Sequence, residues 1–290
     1  MNLSVTIQQA PRLSPSQRNA LISLLADDDP AIYQTVHQKI VSCGPEISEW
    51  LRPHILSSDP LLRRRARQIV QHFDRQEADT WFLAFCLKHG EEFDIEEGAW
   101  LLALTEYPDI NIEAYRALLD SYALELRERI DPNEGARAIL ADVNNYLFDE
   151  LGFNGNDENY YDPQNSYLNR VLDRRTGNPI TLSLLYLLLA RRLHLPMTGI
   201  GMPGHFICRY QSSADELYVD VFNRGRFMTK ADCIQFLLNG HQGFREELLT
   251  PVSARKMFLR MCSNLHQIYT QFERAEETTR LQRYLIALAR

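Results

Sequence analysis

The amino-acid sequence predicts an α+β protein in which a helical first half precedes a smaller core of helix and antiparallel strands. Three observations carry this expectation. A recurrent helix-start signal punctuates the first half, a long apolar helical run begins at Pro179, and short strand-like runs follow it. Length permits the arrangement, because 290 residues with 45% hydrophobic and 24% charged side chains can bury a large core and suggest two domains. The expected organisation is a helical N-terminal region over 1–151, an α+β core over 152–250 and a helix pair over 251–290.

Taken in order, Ser14-Pro15, Asp29-Pro30, Asp59-Pro60 and Asp131-Pro132 each place a capping oxygen before a proline, the arrangement preferred at the N-cap and first position of a helix. Helices are expected to start there. Apolar residues then recur at helical spacing in Leu21, Leu24 and Leu25, in Ile32, Val36 and Ile40, and in Ile69, Val70 and Phe73. Further helices are expected over 80–88, 95–105, 112–128 and 133–151. Starts at 29 and 59, with another near 45, read either as helix pairs stacked like a short solenoid or as an irregular bundle, and no repeated residue signature decides between them.

The polar, turn-forming stretch 152–159 marks a joint. A helical stretch over 166–175 follows, then the apolar helix over 179–194. Its longest apolar run, Ile180 to Ala190, is interrupted by Thr181 and Ser183 and is about half the length a bilayer requires, so it is expected to be a core helix. Strands are expected over 197–201, 205–210 and 217–222. If the last connecting loop holds four residues, His205 lies opposite Asp220, and a slip of two residues still leaves both on one face because strand side chains alternate.

Charge and cysteine usage narrow the function classes. A formal net charge of −7 disfavours a nucleic-acid partner, which requires a basic face. The dense basic run Arg63-Arg64-Arg65-x-Arg67 is read as a solvated helix face. Five cysteines, at 43, 86, 208, 233 and 262, are odd in number and contain no CxxC pair. That pattern fits reduced thiols in the cytosol and opposes a disulfide framework or a zinc site. The first residues lack the basic start and apolar run of a secretory signal. A cytoplasmic location is expected, with no membrane partner, no cofactor and no metal.

Four motifs carry a family resemblance: Asn165-Ser166-Tyr167-Leu168, Arg174-Arg175-x-Gly177-Asn178-Pro179-Ile180, Pro203-Gly204-His205-Phe206 and Asp220-x-Phe222-Asn223. Through them the chain resembles the transglutaminase-like domain of the SirB-type bacterial proteins. The resemblance implies a transglutaminase/papain-like core with Cys at a helix start, His on a following strand and Asp on the next. In that wider superfamily a Gly-x-Cys tripeptide precedes a helix that ends in a Leu-Gly-Ile-Pro-like turn. Setting Leu193-His194-Leu195-Pro196 against that turn puts Pro179 where the cysteine belongs. His205 and Asp220 match the other two members. The family also carries helices before this core and tetratricopeptide-like helices after it, which implies protein contacts.

Each candidate residue has two readings. His205 and Asp220 are either the base and orienting carboxylate of a triad or a buried pair bonded for structural reasons. Cys208, on the opposite strand face from His205, reads as a small buried hydrophobe. Thr181 and Ser183 lie in the first turns of the helix, where a hydroxyl nucleophile would need an aligned base. Asn178-Pro179 is a complete helix cap. The same helix start, with Arg174, Arg175, Asn178 and Thr181, is a candidate seat for a carboxylate, phosphate or acidic peptide, unless the arginines are paired on the surface.

After Pro251, Met257 to Tyr269 and Thr279 to Leu288 form two amphipathic helices whose apolar sides need covering. They are expected to pack on the preceding domain or on a second chain as a homodimer. Two functions follow. One is a non-catalytic, regulatory module that binds a protein partner or acidic ligand; the other is an amide acyl-transferase or hydrolase with a displaced nucleophile.

Overall fold

Capping chemistry sets the helix boundaries in the computed structural model, which describes residues 13–88, 93–240 and 245–290. The chain divides into two units at Ala78/Asp79. In the first, α1 (Pro15–Leu25) is closed by a capping box between Ser14 and Gln17, and α2 (Pro30–Ser42) by the Asp29 carboxylate. After α3 (Ile47–Leu51) and a 3-10 turn over Arg52–Leu56, α4 (Pro60–Cys86) starts where Asp59 accepts the amides of Leu61 and Leu62. The unit boundary falls inside α4, and the separate helix expected over 80–88 is its continuation. Leu25, Val36, Ile40, Leu51, Ile69 and Phe73 pack together as the first unit's core. One arginine of the basic run departs from expectation. Arg65 is buried and donates to the Leu25 and Asp27 carbonyls, satisfying the open end of α1.

The second unit opens with α5 (Ile95–Leu104), capped by Asp94, and α6 (Ile112–Arg129), capped by Asn111. The start expected at Asp131-Pro132 is displaced. There the Asp131 side chain accepts the Asn133 amide at 2.9 Å and its carbonyl accepts that of Glu134 at 3.1 Å, which closes a turn instead of a helix. Helix α7 (Ala136–Asn144) begins after Gly135 and runs into a π-helical turn over Asn145–Glu150. Then come β1 (Asn154–Gly155), a 3-10 turn over Pro163–Ser166, α8 (Leu168–Arg174), β2 (Thr176–Gly177) and α9 (Pro179–Arg192). β1 and β2 pair in parallel, fastening the 152–159 joint beside the start of α9.

A four-stranded antiparallel sheet follows in the order β3 (Met197–Ile200), β4 (Ile207–Gln211), β5 (Glu216–Asp220), β6 (Arg226–Met228). Helix α10 (Lys230–Asn239), a 3-10 turn over Glu246–Leu249, α11 (Ala254–Gln271) and α12 (Ala275–Leu288) complete the chain. Every residue of α9 from Pro179 to Ala190 is buried, as an apolar helix enclosed on all sides must be. It packs with Cys208, Val219 and Val221 from one face of the sheet, while Ile207, Tyr218 and Met228 face Cys233 and Leu237 of α10.

Met257, Met261, Leu265, Leu281 and Tyr284 join the same apolar cluster as α9. The C-terminal helices therefore cover their apolar sides on the preceding part of their own chain. That cluster also takes in Leu147, Phe153, Phe206 and Met257, so it runs across residues 151/152 and 250/251. No helix among the described residues is long and apolar enough to cross a membrane.

Candidate functional site

The first turn of α9, the turn before β4 and one side of α11 enclose a cleft of about 300 Å³, lined by Tyr160, Pro179, His205, Arg260, Asn264 and Gln267 among others. Asn178 builds its floor. The Asn178 carboxamide oxygen accepts the Thr181 amide and hydroxyl, each at 3.0 Å, and its nitrogen donates to the Ser166 hydroxyl at 2.8 Å. Asn165, fully buried, donates to the carbonyls of Asn159 and Tyr160 and accepts from Asn156. The Asn165-Ser166 pair thus brackets the loop carrying Tyr160 to the start of α9, and Tyr167 continues the bracket to α11 through Tyr269, hydroxyl to hydroxyl at 3.2 Å.

Pro179 occupies the first helical position, where a missing N–H costs nothing because that donor lies outside the helical ladder. The Thr181 amide is taken by the Asn178 side chain and that of Leu182 by the Asn178 carbonyl. Among the described residues this leaves the Ile180 N–H as the first-turn donor without a protein partner, and Ile180 lines the cleft. At the far end of α9, His194 adopts φ 58°, a left-handed conformation suited to the glycine of the resembled turn.

His205 and Asp220 come together. Ladder pairing sets Cys208 against Val219, and β4 begins at Ile207, so His205 precedes the strand instead of starting it. Continued, this register places Asp220 beside Ile207, two residues from the expected partner. The face is unchanged, and His205 Nε2 lies 2.9 Å from Asp220 Oδ1. Both side chains are buried. Asn223 adds its backbone N–H to Oδ1 at 3.3 Å and its carboxamide to Oδ2 at 2.8 Å. Burial pushes the Asp220 carboxyl up, but the His205 hydrogen bond and charge and the Asn223 donors outweigh it and hold the pKa below its ordinary value. With Nε2 committed, His205 Nδ1 has no protein partner among the described residues, and the ring lines the cleft.

The chain's other nucleophile candidates lie elsewhere. Cys208 is fully buried, points its thiol at the Ser183 carbonyl, and is pushed up to about 12 by burial. Burial also pushes the thiols of Cys86 and Cys233 up to about 12. Burial raises Cys262 too, and none of the five cysteines lines the cleft. Such thiols stay protonated and inert. Thr181 and Ser183 are also fully buried, the first bonded to Asn178 and the second aimed at the Phe206 carbonyl. No cluster of three or more His, Cys, Asp or Glu side chains among the described residues is arranged to hold a metal ion.

The arginines beside Asn178 in sequence are directed away from it. Arg174 pairs with Asp162 at 2.8 Å, and Arg175, in a left-handed conformation at φ 56°, donates to the Leu151 carbonyl at 2.6 Å. Neither lines the cleft; its cation is Arg260 of α11. The guanidinium lies over the Phe206 ring at 5.7 Å, and a Cβ placed on Gly201 would stand 3.4 Å from its Nη1. Sequence reasoning passed over Arg260, Asn264 and Gln267. Their only signal was a shared helical face at i, i+4 and i+7.

Residues 113–263 match the family described as the transglutaminase-like superfamily. A UPF0162 protein of Xylella fastidiosa (strain Temecula1) is 36% identical over 197 residues, spanning 66% of this chain and 70% of that protein. A UPF0162 protein of Vibrio cholerae is 30% identical over 166 residues, 56% of this chain and 59% of that one. Human F-box only protein 21 is 37% identical over 135 residues, 44% of this chain and 21% of that protein. No solved structure gives a significant match.

Proposed function

The chain belongs to the transglutaminase-like superfamily, and from that premise we propose that its cleft binds a ligand or partner protein without catalysing acyl transfer. One observation carries the reading. Pro179 takes the first position of α9 in the cleft that His205 lines, and every cysteine lies outside that cleft. A nucleophilic thiol in this position would draw on the positive end of the helix and on the imidazole; an imino acid has nothing to ionise. The His205–Asp220 pair then serves as a buried strut between the turn before β4 and the end of β5, with both Asp220 oxygens bonded.

The second reading, an amide acyl-transferase or hydrolase with a displaced nucleophile, draws on the unpartnered Nδ1 of His205. Labelling separates the two. The chain is incubated with a peptide-like chloromethyl ketone and weighed intact, alone and as His205→Ala. The binding reading expects no stoichiometric adduct on a serine, threonine or cysteine, whereas an adduct on the His205 ring itself would report only its open Nδ1. An adduct mapped by peptide digestion to one of those residues and lost in His205→Ala would sink it. SirB-type identity within the superfamily, tetratricopeptide-like character of α11 and α12, a protein partner, a regulatory role and a cytoplasmic location belong to the same proposal. They rest on the sequence motifs, on the amphipathic C-terminal helices and, for the location, on the spread cysteines without a CxxC pair.

A further inference from the structure

We propose that the cleft is a carboxylate site, in which Arg260 receives the carboxylate of an N-acyl amino acid, free or at the C-terminus of a peptide. The inference rests on the binding reading and names the ligand's chemistry. Arg260 has no carboxylate or carbonyl partner among the described residues, whereas Arg174, Arg191, Arg192, Arg280 and Arg283 are each ion-paired. A partly buried cation left without a counter-ion is costly, and burial pushes the Arg260 guanidinium below its ordinary pKa. No carboxylate lines the cleft among the described residues, and both oxygens of Asp220, bonded to the lining His205, are taken by His205 and Asn223. Charge of the missing sign must come from outside.

The rest of the lining selects among anions. Arg260 is the cleft's one fixed cation among the described residues, with the Asp220 carboxylate behind the imidazole, so a monoanion matches the charge better than a phosphate dianion. A planar guanidinium presents a two-pronged donor that fits a carboxylate. Its position between Gly201 and the Phe206 ring limits its freedom. Asn264 and Gln267 stand one and two turns further along the same helix face, and no described residue bonds either carboxamide. Each offers a donor and an acceptor, the complement of an amide group adjoining the carboxylate. Tyr160, Pro179, Phe206 and Ile268 supply apolar walls. A volume of about 300 Å³ lies at the small end of ligand clefts and suits a chain terminus or a free N-acyl amino acid.

The test is calorimetric titration of the full chain with N-acetyl-dialanine as the free acid and as the C-terminal amide, and with N-acetylalanine. The acid is expected to bind about tenfold or more tightly than the amide, the usual worth of a charge-assisted hydrogen bond. Arg260→Gln should bring the acid down to the level of the amide and leave the amide unchanged. Arg260→Lys, which keeps the charge but loses the fork, should fall between. Binding by N-acetylalanine as tight as by the dipeptide assigns the free acid; tighter binding by the dipeptide assigns the peptide terminus. Equal binding of acid and amide, no binding of either, or an Arg260→Gln variant that binds like the parent would overturn the proposal. Should Arg260→Gln fail to fold, the acid–amide difference in the parent chain decides alone. Mass analysis of the recovered peptide separates this from the previous reading: cleaved or transferred peptide would refute non-catalytic binding while leaving the carboxylate assignment standing.

Discussion

Replacing Pro179 with cysteine tests the geometry on which the functional reading depends. A free thiol titrates at about 8.5. The start of a helix favours the thiolate by ~0.3–1 kcal/mol when exposed and ~2 kcal/mol when partly buried, which at ~1.4 kcal/mol per pH unit lowers the pKa by about 0.2–1.5. A protonated His205 across the cleft lowers it by about a further 1–3 units if the two groups meet. Burial of position 179 acts in the opposite direction.

The net expectation is a pKa of about 6–7.5, the range of activated thiols. At neutral pH the thiolate share would rise from about 3% to about a quarter or more. The assay is the pH dependence of iodoacetamide alkylation, followed by intact mass. A Cys43→Ser background removes the one native thiol that is not buried. In the His205→Ala double variant the pKa should return by about one unit or more toward that of a free thiol. A value at or above about 8.5, or one indifferent to His205, would show that Pro179 does not occupy the nucleophile's place.

Two further outcomes are expected. Gly225→Ala should destabilise the chain by at least ~2–3 kcal/mol in urea titration, because φ is 71° and the added Cβ would stand 2.3 Å from the Asn144 side chain. That carboxamide bonds the Gly225 carbonyl and the Tyr186 hydroxyl, so it has no room to yield. Gly152→Ala, at φ 75° with open space around its Cβ, should cost only the backbone part, ~1–2 kcal/mol, and equal losses at the two sites would refute the packing argument. Asp220, whose folded pKa is depressed, contributes stability that is present above its unfolded pKa and lost as pH falls through the lower folded value. The stability gap between the parent and Asp220→Asn should therefore narrow through the acid range, and urea midpoints whose separation stays constant there would contradict it.

Local chemistry was legible in the sequence and distant encounters were not. Ser14, Asp29, Asp59 and Asn178 cap helices where the sequence places them, because a cap bonds within three residues of itself. Asp131 failed for the same reason turned round: the side chain that caps a helix equally well closes a turn. The pairing of His205 with Asp220 survived a two-residue error in register because strand faces alternate. Strand β6 and helix α10 went unread, although Thr229 and Asp232 form a capping box that announces the helix. Arg174 and Arg175 looked like site residues through adjacency in sequence, yet the left-handed Arg175 and the short β2 strand turn them toward Asp162 and Leu151. Arg260 takes its place through the packing of α11 against α9, which no local pattern discloses.

The proline at the start of α9 bears on more than the proposed absence of a thiol. Acyl transfer through a tetrahedral intermediate places negative charge on the former carbonyl oxygen, and a pair of donors, often including the nucleophile's own amide, stabilises it. Pro179 has no such amide, so the first turn can offer that oxyanion only the N–H of Ile180. On the binding reading, one imino acid thus bears on both halves of the chemistry, the attack and the stabilisation of what the attack would make, and a nucleophile arriving from outside the chain would find one first-turn donor where a pair is needed.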